Sequence, residues 1–251
     1  MGKTSTSQRS PLSPTLWPTE SFRWPRSLAF AVLLIAALFA SALALGALFR
    51  VLHVPLGNTT HPTEFVFVLS SLAELPVIAL LIVFLPRLAR RSLGELGFHQ
   101  IRFRDLAYAV GGALAMILVT SVAGLIEQSA FHLKVHENVI TFFNKSEPRG
   151  WIVAIALVAS IYAPFFEEFV FRGFIFNAIL RYVPVWAAIG LSALVFAGAH
   201  FEDPTSFFPL AMAGSVLALV YHRSGSLVTS MLTHGTFNFI ELSLYLATQN
   251  K

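Results

Sequence analysis

The sequence predicts an all-α fold, a polytopic transmembrane helix bundle of about seven spans, and three observations predict it. Of the 251 residues, 56% are hydrophobic and only 12% charged, about half the charge of an ordinary soluble domain. The apolar residues gather into runs, most of them near the roughly 17–25 residues that cross a bilayer as a helix. The basic residues fall in the gaps between runs, where they act as topology signals. They form no continuous patch, so the net charge of +4 points to the lipid bilayer as partner and away from nucleic acid. The chain has no Cys, which excludes a disulfide framework, a thiolate metal site and a cysteine nucleophile.

Residues 1–26 are polar, rich in Ser, Thr and Pro, and basic at Lys3, Arg9, Arg23 and Arg26. That composition buries little apolar surface and reads as a disordered cytoplasmic tail. Residues 27–251 form a single integral membrane domain. Its expected spans are 28–49, 65–85, 105–126, 150–181, 185–200, 207–222 and 226–247. Turn and breaker residues separate them: Pro55 to Asn58, Pro86, Pro148, Pro184, Asp203-Pro204 and Ser224-Gly225. Orientation follows from charge. The loop after the second run holds Arg87, Arg90, Arg91, Arg102 and Arg104, and later turns on that side hold Arg181 and Arg223. Together with the basic tail they put the N-terminus in the cytoplasm and the C-terminus outside, in the cell membrane. No internal repeat of the transporter kind is present.

Three polar clusters interrupt the last four runs: Glu167-Glu168 with Arg172, Phe196 with His200, and His234 with Asn238. Ionised groups at bilayer depth cost roughly 2.5–3.5 kcal/mol each on insertion scales, and they mark functional sites. On a helix Glu168 and Arg172 share a face and can pair, while Glu167 turns about 100° away. His234 and Asn238 also share a face, which Glu241 can join. Glu167 and His200 lie almost equally far from the turn at Tyr182 to Pro184, so an antiparallel hairpin brings them level. A carboxylate and a neutral imidazole can hold and deprotonate a water, and a second imidazole with a carboxamide can stabilise an oxyanion. The set therefore suits hydrolysis of an amide without Ser or Cys. Zinc held by Glu167, His200 and His234 is the alternative to this favoured metal-free scheme. Glu74, mid-run beside Pro76, either lines the same cavity or caps a kink.

In order and spacing these clusters resemble the three motifs of the CPBP intramembrane protease family, also called Abi or CAAX proteases, which includes the CAAX prenyl endopeptidases. The pattern E-E-x-x-x-R is met by Glu167, Glu168 and Arg172, F-x-x-x-H by Phe196 and His200, and H-x-x-x-N by His234 and Asn238. Ser92 to Phe98 and Ser224 to Leu227 are similar to the family's flanking features, so the resemblance covers about 90–245. It implies an all-helical membrane protease. Glu167 and His200 would activate water, His234 and Asn238 would hold the oxyanion, and Glu168 and Arg172 would support the site. The implied partner is a peptide or protein substrate reached from the membrane. Some members of the family act in immunity or scaffolding, so a catalytically silent protein is the alternative function. A transporter or proton channel is a third, which the lack of repeats disfavours.

Overall fold

The computed structural model describes residues 24–53, 71, 74–89, 92–94, 97–98, 101–131, 149–200 and 206–249. Among these residues every regular element is a helix. Helix α1 is Trp24–Val51, α2 is Leu75–Ala89 and α3 is Phe103–Phe131. Helix α4 is a composite rod over residues 149–180. Then come α5, Val185–Gly198, α6, Phe207–Ser224, and α7, Leu227–Gln249. The predicted tail lies outside the described residues except for 24–26, which open α1. Most of the first half of the predicted 65–85 run also lies outside them.

Two of these helices are long and apolar enough to cross a membrane, Phe103–Ala130 and Ile152–Leu180, and Leu75–Phe84 and Val185–Gly198 are shorter apolar helices. The α3 surface makes the solvent plain. Leu114, Leu118, Val122 and Leu125 form one exposed stripe along it, an arrangement that water opposes and lipid accepts.

Caps follow from local chemistry. Asp105 sits in the first turn of α3, where its Oδ2 accepts the Arg102 backbone N–H at 2.8 Å, satisfying a donor that the helix leaves over. Helix α6 stops at Gly225, whose φ of 68° suits glycine. Ser226 then caps α7, its Oγ accepting the Thr229 N–H at 3.1 Å. Pro86, expected as a break, lies inside α2. Its missing N–H removes one helical bond, to the Ile82 carbonyl, and the helix ends soon after at Ala89; the Arg87 guanidinium donates to the neighbouring Val83 carbonyl.

Helix α6 packs on α5 and α3, and α7 packs on α3, α6 and α4. A buried core of Leu81, Phe169, Phe176, Tyr221 and Leu227 ties α2, α4, α6 and α7 together. Helix α4 is not uniform: α-helical pieces alternate with wider π turns at Val158–Tyr162 and Phe169–Phe176. These two π turns bracket the short α-helical piece Ala163–Glu168, which carries both adjacent carboxylates. Single π turns inside α-helices are often found at functional sites.

Candidate active site

Pro164 explains the first π turn. The Ala163 N–H reaches back five residues to the Val158 carbonyl. Continuing that pattern, the Ala159 carbonyl would take its proton from residue 164, but proline has no N–H. The Asn238 side chain fills the vacancy, donating from Nδ2 to the Ala159 carbonyl at 2.7 Å. Helix α7 comes close enough because Gly235 has no side chain. A Cβ there would collide with the Ser160 carbonyl oxygen.

The second π turn is held by Asn177. Its amide donates to the carbonyls of Arg172 at 2.6 Å and Gly173 at 3.2 Å, and to the Tyr221 hydroxyl at 3.0 Å. These bonds serve carbonyls that π winding takes out of the ordinary helical ladder.

Between the two turns, Glu168 and Arg172 form the predicted pair. Arg172 donates to Glu168 Oε1 at 2.9 Å, and the two side chains are 0% and 1% exposed. Its other nitrogen donates to the Gly214 carbonyl at 2.9 Å, and its guanidinium carbon lies 4.7 Å from the Phe196 ring centre. Glu168 also accepts from the Ser230 hydroxyl and faces His234 Nδ1 at 3.0 Å. A carboxylate this fully used is a frame member.

Glu167 turns the other way. One of its oxygens lies 4.0 Å from His200 Nε2 and the other 4.0 Å from His234 Nε2. Both distances are too long for direct hydrogen bonds and suit a bridging molecule. Each imidazole is oriented from behind. His200 Nδ1 lies 2.9 Å from the Phe196 carbonyl, which can only accept, so Nδ1 carries a proton and Nε2 is turned toward Glu167. His234 Nδ1 is directed at Glu168 in the same manner. Phe196 lies between them, its ring centre 4.9 Å from that of His200 and 6.0 Å from that of His234.

Glu167, His200, His234 and Asn238 all line one cavity of about 550 Å³. Glu74, Glu241, Tyr245 and Thr248 line it too. The four core residues read from the motifs thus share a chamber, while Glu168 and Arg172 stand behind it. Sequence reasoning missed Ser230 and the backbone acceptors at Ala159 and Gly214. Ser230 had a usable signal, since it precedes His234 by one helical turn on the same face. The backbone acceptors had none. Among the described residues no ready-made group of three or more His, Asp or Glu side chains that could hold a metal ion is present.

Fold and chamber together define a helical membrane protein with a Glu–His cluster lining a cavity between its helices. Residues 149–240 match the family model for Rce1-like type II CAAX prenyl endopeptidases, a segment that contains all three motifs. A curated relative is the UPF0177 protein YbdI of Lactococcus lactis subsp. lactis (strain IL1403), 23% identical over 176 residues, which are 68% of this chain and 94% of the relative. No solved structure matches significantly. Over residues 149–240 the chain is therefore similar to a family of CAAX proteases.

Proposed function

We propose that this protein is an intramembrane endopeptidase that hydrolyses a peptide bond with water activated by Glu167 and His200. The observation that carries this reading is the carboxylate of Glu167 standing 4.0 Å from each of two oriented imidazoles on a cavity wall. A water between Glu167 and His200 Nε2 would donate to both. Two hydrogen bonds of about 2.8 Å at the water angle span roughly 4.4 Å, close to the separation found. The water's lone pairs are then left for the carbonyl carbon of the substrate.

As the water attacks, its proton passes to the Glu167–His200 pair and the carbonyl oxygen becomes an oxyanion. His234 Nε2–H and the second Asn238 N–H, the first being held by Ala159, donate to it. Glu167 and Glu168 on either side of His234 supply countercharge to a ring that donates from both nitrogens. Collapse of the intermediate breaks the C–N bond, and the proton taken from water is returned to the leaving amine. Every step is assigned to side chains of the chain itself, so chelators should leave turnover intact.

This reading includes the proposed topology: about seven spans, the N-terminus cytoplasmic, in the cell membrane. Purified Glu167→Ala and His200→Ala proteins test the chemistry. Each should lose cleavage by about 10²–10⁴-fold, the usual contribution of a positioned acid–base group, while inserting and unfolding like the parent. Full turnover in either variant rejects the assigned roles. An unchanged biological phenotype in both would instead indicate a silent scaffold.

A further inference from the structure

The chamber does not end at the reacting groups. His234, Asn238, Glu241, Tyr245 and Thr248 all line it, and their spacing of 4, 3, 4 and 3 residues keeps them on one face of α7. The cavity therefore runs along α7 for about 21 Å, at 1.5 Å per residue. That length accommodates roughly six residues of extended peptide. Glu241 stands about 10 Å along the track from His234, or about three extended residues.

The charge on this track is one-sided. Glu241 lines it from α7 and Glu74 from just before α2, and no Lys or Arg is among the described residues lining it. Glu241 lies one residue beyond the family match at 149–240 and Glu74 far before it, so neither belongs to the three motifs.

We propose that the track selects a substrate segment bearing a positive charge within about three residues of the reacting bond, and that Glu241 is the residue that reads it. This rests on the endopeptidase reading for the identity of the reacting bond, but recognition is measurable without turnover. Lys or Arg on an otherwise apolar peptide is the matching chemistry, since such a side chain can lay its stem along Leu242 and Leu244 and present its charge to the carboxylate.

The test uses the full chain in nanodiscs with Glu167→Gln, so that bound peptide persists. The probes are fluorescein-labelled apolar nonapeptides carrying a single Lys, Gln or Glu at successive positions, with binding read by anisotropy. At one or two adjacent positions the Lys peptide should bind about tenfold tighter than its Gln twin. Adding Glu241→Gln should bring that ratio to near one, and Glu241→Lys should reverse it in favour of the Glu peptide. Because each protein is compared with itself, a loss of folded fraction cannot mimic the result. Equal affinity of Lys and Gln peptides at every position overturns the proposal, as does a ratio that survives Glu241→Gln. Failure of every peptide to bind overturns it too. Cleavage of the same peptides by the native chain is scored separately. A charge preference without turnover would reject the hydrolase reading and leave the charge-reading track standing.

Discussion

Adjacent carboxylates here have opposite physical circumstances. Glu168 is fully buried, paired with Arg172, and bonded to Ser230 and His234. Glu167 Oε2 is buried with no hydrogen-bond partner. Removing one member of a buried ion pair strands the other charge, at about 3–5 kcal/mol. Removing the charge of a carboxylate whose buried oxygen has no hydrogen bond costs little stability or relieves strain. Glu168→Gln should therefore lower the thermal unfolding midpoint in detergent sharply. Glu167→Gln should hold or raise it while abolishing cleavage. If both lowered the midpoint equally, the division into frame and working carboxylate would be wrong. Asn238 combines both roles, with one amide hydrogen on Ala159 and the other available to the chamber. Its donation to a backbone carbonyl makes Asn238→Asp worse than Asn238→Ala, because a carboxylate would set lone pairs against lone pairs.

At the level of elements, the site depends on α7 lying flush against the first π turn of α4. Gly235 permits this, since a methyl there meets the Ser160 carbonyl oxygen. Gly235→Ala should push the helices apart and strain the Asn238–Ala159 bond, costing about 1–3 kcal/mol as overpacking does. Gly111→Ala is the control, because a Cβ at Gly111 meets nothing within 4 Å. Lowered stability and activity for the first and neither for the second is the expected pattern, read by thermal unfolding and peptide cleavage. How much of this was legible in the sequence divides along the same line. Helix arithmetic within one rod yields the Glu168–Arg172 pair, and counting from the Pro184 turn yields the level placement of Glu167 and His200. The π turns were not legible. They arise from Pro164 withholding a proton where another helix supplies one, and that helix's approach is tertiary information. Pro86 misled as a breaker because it lies so near the end of α2 at Ala89 that only the one bond to the Ile82 carbonyl is lost.

For the whole molecule the open question is how the helices sit in the bilayer. Two loops that the charge rule places on the cytoplasmic side meet in the structure. Gly97, with φ +104°, presents its carbonyl to the Leu227 N–H at 3.1 Å, and a Cβ there would lie 2.8 Å from that nitrogen. Phe98 meanwhile sets its ring edge-on to Phe169, 5.3 Å between centres. Gly97 thus holds the start of α7 beside the turn between α6 and α7, and Phe98 packs on α4. That contact supports the proposed topology by placing two basic-flanked turns at one end of the bundle. Under that topology the α7 end of the track, at Thr248, faces away from the cytoplasm. A chain with no Cys allows a direct test by single substitutions. Ser10→Cys and Ser92→Cys should resist a membrane-impermeant maleimide in intact cells and react once the membrane is opened. Asn58→Cys and Ser146→Cys should react from outside in intact cells. Labelling of Ser92→Cys from outside would reverse the bundle, and with it the side from which a peptide enters the track. Protection of both Asn58→Cys and Ser146→Cys alongside the other two would reject the alternating spans themselves.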